Sequence, residues 1–252
     1  MDIEAYLERI GVEREGLRAD AHTLRLLQRS HLRSVSFENL DIHWKHPIVI
    51  DTEKFFEKIV TGKRGGFCYE LNGLFNELLR ELGFRTRLIS ARVFNGKEHG
   101  REFDHAAILV DVEGETYLAD VGFGEFAEDP LRFDAGVEQA DAAGTFLIER
   151  TGDGSYDVRM RTNDGWVSRY AFEDKERELP EFAEMCDFQQ HSPESHFTKN
   201  KICSVLTADG RKTLTSGKFI VTSRGARTET AVAGDAEFER ILAAEFGIVK
   251  LQ

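Results

Sequence analysis

A thiol, an imidazole and a carboxylate stand in three separate stretches of this 252-residue chain. They are Cys68 after Arg64-Gly65-Gly66-Phe67, His105 after Phe103-Asp104, and Asp120 ahead of Val121-Gly122-Phe123-Gly124. Together these types can perform covalent acyl transfer: a thiolate attacks a carbonyl carbon, an imidazole moves the proton, and a carboxylate orients the imidazole. Cys68 opens an apolar-periodic stretch that predicts a helix, and unpaired N–H groups and the dipole at a helix start favour a thiolate. Gly65 and Gly66 are expected to let a substrate approach the sulfur, with Arg64 adding positive charge nearby. The pattern at this point also admits a plainer role for Cys68, that of a small buried hydrophobe.

Whether His105 and Asp120 meet depends on strand register. If Glu113-Gly114 is a two-residue hairpin loop, Val112 pairs with Glu115 and Ala107 faces Asp120. His105 then shares a face with Ala107 and is a diagonal neighbour of Asp120, about 7–8 Å away at the backbone and within side-chain reach. A slip of one residue would put the two on opposite faces, leaving each to cap or end its strand. The other histidines offer weaker partners, since His43 and His46 flank Trp44 in an expected loop and His99 sits among charges at a turn.

The elements that must position these groups read as an α+β protein. Apolar residues at helical spacing predict helices over 2–10, 22–34, 52–60 with Asp51 as N-cap and Gly62 as terminator, and Cys68 to Leu82 with Gly83 as its stop. The period then changes. Segments 86–94, 104–112, 115–121, 144–150, 155–162 and 166–172 predict strands of an antiparallel sheet or barrel, punctuated by Glu113-Gly114, Gly152-Asp153-Gly154 and Asp164-Gly165 turns. A helical stretch at 179–191 leads to strands near 202–207, 211–215 and 218–223 and a closing helix from about Asp235 to Phe246. The expected division is a helical part over 1–83 carrying the cysteine, a β part over 84–178 carrying the histidine and aspartate, and a linker helix with a mixed α/β part over 179–252.

Composition narrows the partners. With 33 Lys and Arg against 45 Asp and Glu, the net charge is −12, and no basic block exists to follow a phosphate backbone, so nucleic acid is excluded as an expected partner. An anionic ligand would need local donors such as Lys199 and Lys201. The N-terminal stretch is acidic and amphipathic, and no apolar run approaches the ~18 residues of a membrane span, which predicts a cytoplasmic protein without membrane contact. Cys68, Cys186 and Cys203 are an odd number without paired spacing, so neither a disulfide framework nor a metal site is expected. Oligomeric state is not encoded in any feature of the pattern.

Four separated segments, in order, resemble the arylamine N-acetyltransferase family: SFENLDI at 36–42, RGGFCYELN at 64–72, FDHAAILV at 103–110 with the Asp120-to-Gly124 run, and SPESHFTKNKICSVLTADGRKTL at 192–214. The resemblance spans essentially the whole chain. It implies an N-terminal helical bundle, a central antiparallel β-barrel and a C-terminal α/β lid around a core similar to that of cysteine proteases and transglutaminases, with Cys68, His105 and Asp120 as the catalytic triad. It implies acetyl-CoA as co-substrate, no metal, and ping-pong transfer through an acetyl-cysteine to arylamines and arylhydrazines, as in xenobiotic metabolism. Phe37 and Phe123 would border the acceptor pocket, where a flat ring can stack; either can equally be core. Gly124, Ser195 and Phe197 lie in segments associated with CoA, Lys199 or Lys201 would meet its phosphates or form a solvated edge, and Glu38 with Arg64 would make a structural ion pair. Two departures stand out: Glu125-Phe126 stands where many members have small residues, which is expected to narrow or acidify the pocket or the CoA entrance, and no long tail follows Phe246-Gly247-Ile248. Amide synthases that cyclise a carrier-bound aryl-amine chain, transglutaminase-like cysteine hydrolases and a catalytically silent binding protein are the rival readings.

Overall fold

The computed structural model describes residues 1–250; residues 251 and 252, the last two of the expected 179–252 segment, lie outside the described residues. Two helices, α1 (Ile3–Ile10) and α2 (Ala21–Ser34), begin the chain, each N-capped by an aspartate, Asp2 on Ala5 N–H and Asp20 on Thr23 N–H. A two-residue strand β1 (Phe37–Glu38) and short helices α3 (Leu40–Trp44) and α4 (Thr52–Phe56) follow. The helix expected over 52–60 is α-helical only as far as Phe56. Residues Glu57–Thr61 form a π-helical turn, the wider geometry that accompanies the inward turn of Lys58 toward buried carboxylates. Helix α5 (Cys68–Glu81) buries Leu71, Leu74, Phe75, Leu78 and Leu79 along one face, and Gly83 just beyond it adopts φ 89° as an αL stop.

An eight-stranded antiparallel sheet comes next: β2 (Arg85–Val93), β3 (His105–Val112), β4 (Glu115–Ala119), β5 (Leu131–Arg132), β6 (Glu138–Asp141), β7 (Gly144–Arg150), β8 (Tyr156–Thr162) and β9 (Gly165–Glu176), in the order β5-β4-β3-β2-β9-β8-β7-β6. It curls into a nearly closed barrel. The seam between edge strands β5 and β6 is closed by side chains: Gln139 both accepts from Arg132 N–H (2.7 Å) and donates to its carbonyl (2.9 Å), and Asp141 accepts the N–H groups of Glu128 and Asp129. Strands β5 and β6 are too short and too polar to announce themselves in the residue pattern.

Strand β3 shows why the chain folds around this barrel. Its residues are buried on both faces, Ala106, Ile108, Val110 and Val112 toward the core shared with α1, α2 and α5, and Ala107 and Leu109 toward the barrel interior with Phe146, Val158, Tyr170 and Phe172. The near-continuous apolar run 106–110 is the sequence trace of that double burial.

A 3₁₀ turn (Leu179–Phe182) leads into α6 (Ala183–His191) and α7 (His196–Lys199), then β10 (Ile202–Thr207), β11 (Gly210–Thr215), β12 (Lys218–Ser223), β13 (Ala226–Ala231) and α8 (Asp235–Phe246). Strand β13 is fully exposed and reads ARTETA, so no apolar alternation marked it. The second sheet has the order β1-β10-β11-β12-β13, so the N-terminal β1 extends a sheet made by the C-terminal part, pairing Phe37 with Ser204 and Glu38 with Cys203. That crossing places Phe37 against α7.

Candidate active site

Cys68 is the first residue of α5 and only 3% exposed. The preceding Phe67 is extended, and its N–H is accepted by the Glu70 side chain at 3.1 Å, which fixes the entry of the chain into the helix. Glu70 is itself gripped by Lys58 Nζ at 2.8 and 2.9 Å, and Lys58 reaches Asp41 at 2.8 Å. Arg64 forks onto Glu38 (2.6 and 3.0 Å) and Asp41 (3.0 Å) with its guanidinium 4.6 Å from the Trp44 ring centre. Glu38 and Arg64 thus form the expected ion pair, inside a larger buried network of three carboxylates and two cations. Arg64 is committed to those carboxylates rather than to the sulfur.

Histidine and aspartate meet as the register predicts. Glu113 and Gly114 turn with φ 55° and 83°, Val112 pairs with Glu115, and Ile108 with Ala119. At the end of the ladder His105 Nε2 lies 2.7 Å from Asp120 Oδ2, with both side chains buried. Three further groups hold the carboxylate: Asn72 Nδ2 donates to Oδ1 (2.8 Å), Gly122 N–H to Oδ1 (2.9 Å) and Tyr170 O–H to Oδ2 (3.1 Å). Asn72 also donates to Ala106 O (2.6 Å) and accepts from Val121 N–H (2.9 Å), so one amide stitches the cysteine helix to both strands. Sequence reasoning missed Asn72 and Tyr170. Asn72 carried a usable signal, one helical turn after Cys68 on the same face; Tyr170, fifty residues from Asp120, carried none.

Cys68 and His105 open on one cavity of about 540 Å³. Phe37, Phe123, Ser195 and Phe197 line it as well, with the Phe123 ring edge-on to His105 at 5.2 Å and Phe37 tilted against Phe197 at 6.2 Å. The Ser195 hydroxyl is taken up locally, donating to Gln189 Oε1 (2.6 Å) and capping Phe197 N–H (3.1 Å). Gly124 (φ 90°) lies beside the Phe37 ring and is outside the lining. Lys199 is exposed on α7 and also outside it, while Lys201 bonds Asp235 at 2.6 Å and sits over the Phe238 ring.

Two expectations about this wall are corrected. Glu125 and Phe126 do not narrow the cavity: Phe126 is buried inside the barrel against Phe146 and Tyr170, while Glu125 is exposed. Gly65 and Gly66 do not open a path to the sulfur either. A Cβ on Gly65 would lie 2.0 Å from Ser36 O, and one on Gly66 2.9 Å from Glu70, so both are small because β1 and the Glu70 cap pass close by. The glycine that approaches the cysteine is Gly122, where a Cβ would stand 2.8 Å from Cys68 Cα and 2.7 Å from Asn72 Nδ2. Gly122→Ala must push α5 and the post-β4 turn apart, and a loss of about 1–3 kcal/mol is expected in denaturant unfolding; a loss near zero would show that the two elements separate freely.

Burial pushes the Cys68 thiol well above its ordinary range, opposed by the N–H groups of Ala106 and Tyr69 directed at the sulfur, with the Asp120 charge adding to the upward push. The sulfur also lies 3.9 Å from Asp104 O. With Nε2 of His105 engaged by Asp120, Nδ1 is the ring nitrogen left to exchange a proton with Cys68. Cys186 and Cys203 are buried away from the cavity, the first pushed up to about 12 by burial. Among the described residues no group of three or more His, Cys, Asp or Glu side chains is arranged to hold a metal ion, and no helix is long and apolar enough to cross a membrane.

A buried Cys at a helix start, a His on a barrel strand and an Asp just past the next strand are brought together here, and comparison with known proteins places this arrangement in a family. A family model described as N-acetyltransferase matches residues 20–251. An arylamine N-acetyltransferase of Gallus gallus, the pineal gland isozyme, is 32% identical over 98% of this chain and 94% of its own. The chain belongs to the arylamine N-acetyltransferase family. Two solved members superpose closely. The Mycobacterium smegmatis enzyme has a TM-score of 0.91 at 31% identity, covering 98% of this chain and 93% of that one. An enzyme of Mycobacterium marinum, solved in complex with CoA, gives 0.90 at 29% identity, with the same two coverages. The α+β architecture with its barrel is therefore that of the arylamine N-acetyltransferases.

Proposed function

We propose that this protein transfers the acetyl group of acetyl-CoA to the nitrogen of aromatic amines and hydrazines through an acetyl-cysteine at Cys68. The observation that carries the reading is the 2.7 Å bond from His105 Nε2 to the buried Asp120, with His105 and Cys68 lining one cavity. The relatives' names supply the donor and acceptor classes.

The nucleophile is the Cys68 thiolate, its proton held on Nδ1 of His105, whose Nε2 is anchored on the Asp120 carboxylate. The sulfur attacks the thioester carbonyl, an S–C bond forms, and the C–S bond to CoA breaks as His105 returns the proton to the leaving thiolate. The N–H groups of Ala106 and Tyr69 favour the Cys68 thiolate, and backbone donors of this kind beside the nucleophile would stabilise the transient oxyanion. CoA then leaves, the amine attacks the acetyl carbon, His105 takes the amine proton, and Cys68 departs to be reprotonated. Phe37, Phe123 and Phe197 give a flat acceptor ring apolar faces beside the thioester.

Incubating the protein with acetyl-CoA and no amine, followed by peptide mass spectrometry, tests the scheme. An acetyl group is expected on Cys68 alone, absent from Cys68→Ser, and discharged when 4-methoxyaniline is added. A folded, reduced protein that forms no adduct would overturn the acetyl-cysteine route.

A further inference from the structure

Asp120 lies behind His105 and outside the cavity lining, whereas two other acidic residues, Asp104 and Glu194, belong to it. Asp104 precedes His105, lines the space onto which Cys68 opens, and belongs to a turn built around its side chain. Its Oδ2 accepts the Arg101 N–H at 2.8 Å and occupies the place of a Cβ at Gly100, so a side chain at residue 100 would displace this carboxylate. From the lid side Gln189 Nε2 lies 3.5 Å from Oδ1. The turn is strained: Phe103 adopts φ 67°, which is unfavourable for an aromatic residue. It is held there by Ser90 Oγ on its N–H (2.7 Å), Tyr69 O–H on its carbonyl (2.7 Å) and Phe182 against its ring (5.1 Å).

Both donors to the Asp104 carboxylate are neutral. Arg101, the guanidinium nearest in sequence, pairs with Glu194 at 3.3 Å and stacks on Phe188. Among the described residues no Lys, Arg or His nitrogen forms an ion pair with Asp104. Burial raises the Asp104 carboxyl from its ordinary range, countered by the Arg101 N–H and by the Arg101 and His105 charges.

Resting on the acetyl-transfer reading above, we propose that Asp104 determines acceptor specificity, selecting neutral or cationic aromatic amines and hydrazines and rejecting those that carry a carboxylate. A fixed negative charge in a half-enclosed cavity repels an anionic ring substituent and accepts a hydrogen bond from a polar N–H of a neutral one. The expected discrimination is about tenfold, the size of a partly screened like-charge contact. Glu194, the other acidic residue of the lining, is largely exposed and paired with Arg101 at 3.3 Å, so solvent and its partner screen it more than Asp104.

The test measures kcat/KM for 4-aminobenzamide and 4-aminobenzoate, a neutral and an anionic acceptor of nearly equal shape, with acetyl-CoA as donor. The wild type is expected to prefer the amide by about tenfold, and Asp104→Asn to bring the two values together. The ratio within one preparation is insensitive to the active fraction, so a role confined to folding would leave it unchanged. An unaltered preference in folded Asp104→Asn overturns the proposal. If that variant does not fold, the wild type decides alone: equal use of both amines, or preference for the benzoate, overturns it. Failure to acetylate either amine, with 4-methoxyaniline also untouched, would instead remove the acetyl-transfer reading and this inference with it.

Discussion

Asp120→Asn is expected to lower kcat/KM for arylamine acetylation by about 10³–10⁴-fold, the loss seen when an orienting carboxylate is replaced by an amide and the histidine is left in the wrong tautomer. The fold should survive. The oxygen of the new amide can keep the Asn72 and Gly122 bonds now made to Oδ1, and the Tyr170 hydroxyl can turn from donor to acceptor. What cannot be kept is the direction of the bond to His105, in which Nε2 now donates to a carboxylate oxygen. An amide NH₂ in place of Oδ2 donates to Nε2, which must then be unprotonated, so Nδ1 carries the hydrogen and can no longer take a proton from Cys68. Steady-state kinetics beside a thermal melt decide the matter: rates near wild type in a protein with an unchanged transition would take Asp120 out of the mechanism.

That aspartate shows what the linear chain could reveal. The pairing of His105 with Asp120 was legible because a single local feature, the Glu113-Gly114 turn, sets the register of both strands, and residues on one face of a hairpin need no distant information. The helix behind Cys68 was legible for a similar reason, since its apolar spacing and the Gly83 stop lie within one stretch. Contacts formed across the fold were hidden. Tyr170 reaches Asp120 from β9, Gln28 accepts the Asp120 N–H from α2, and β1 pairs with a strand more than 160 residues later. The roles of two glycines were also misread, because Gly65 and Gly66 look like flexible positions beside a cysteine, while Gly122, which meets that cysteine in the fold, is distant from it in the chain. Their difference lies in which neighbour would meet a Cβ, a property of packing rather than of composition. Asp104 was quoted within a motif and passed over for the same reason: its importance comes from a strained turn and a shared cavity, neither of which spacing encodes.

Lys58→Met is expected to show how far the Cys68 loop relies on the charges packed behind it. Glu38, Asp41 and Glu70 share two permanent cations, Lys58 and Arg64, with the half-exposed His46 ring 3.5 Å from Asp41, so the network holds three carboxylates against two fixed positive charges. Burial, with the Glu38 and Asp41 charges, pushes Glu70 up to about 7 against the pull of Lys58. Burial also works against the Lys58 charge, but the three carboxylates outweigh it and hold the ammonium well above its usual range. Methionine fills much of the same volume without the charge, leaving Glu70 and Asp41 short of a partner. Breaking a buried pair in this way costs about 3–5 kcal/mol. The pH dependence has a definite sign. Without Lys58 the Glu70 carboxyl rises further in the folded state, and a group whose folded value lies above its unfolded value near 4.5 loses stability as pH climbs between the two. Urea unfolding of Lys58→Met should therefore show a larger deficit at pH 8 than at pH 5. Because Glu70 caps the Phe67 N–H that sets Cys68 at the head of α5, acylation of the variant should slow even where it stays folded. A deficit independent of pH would mean that Lys58 stabilises the loop by packing its stem against the π-helical turn and not by neutralising Glu70.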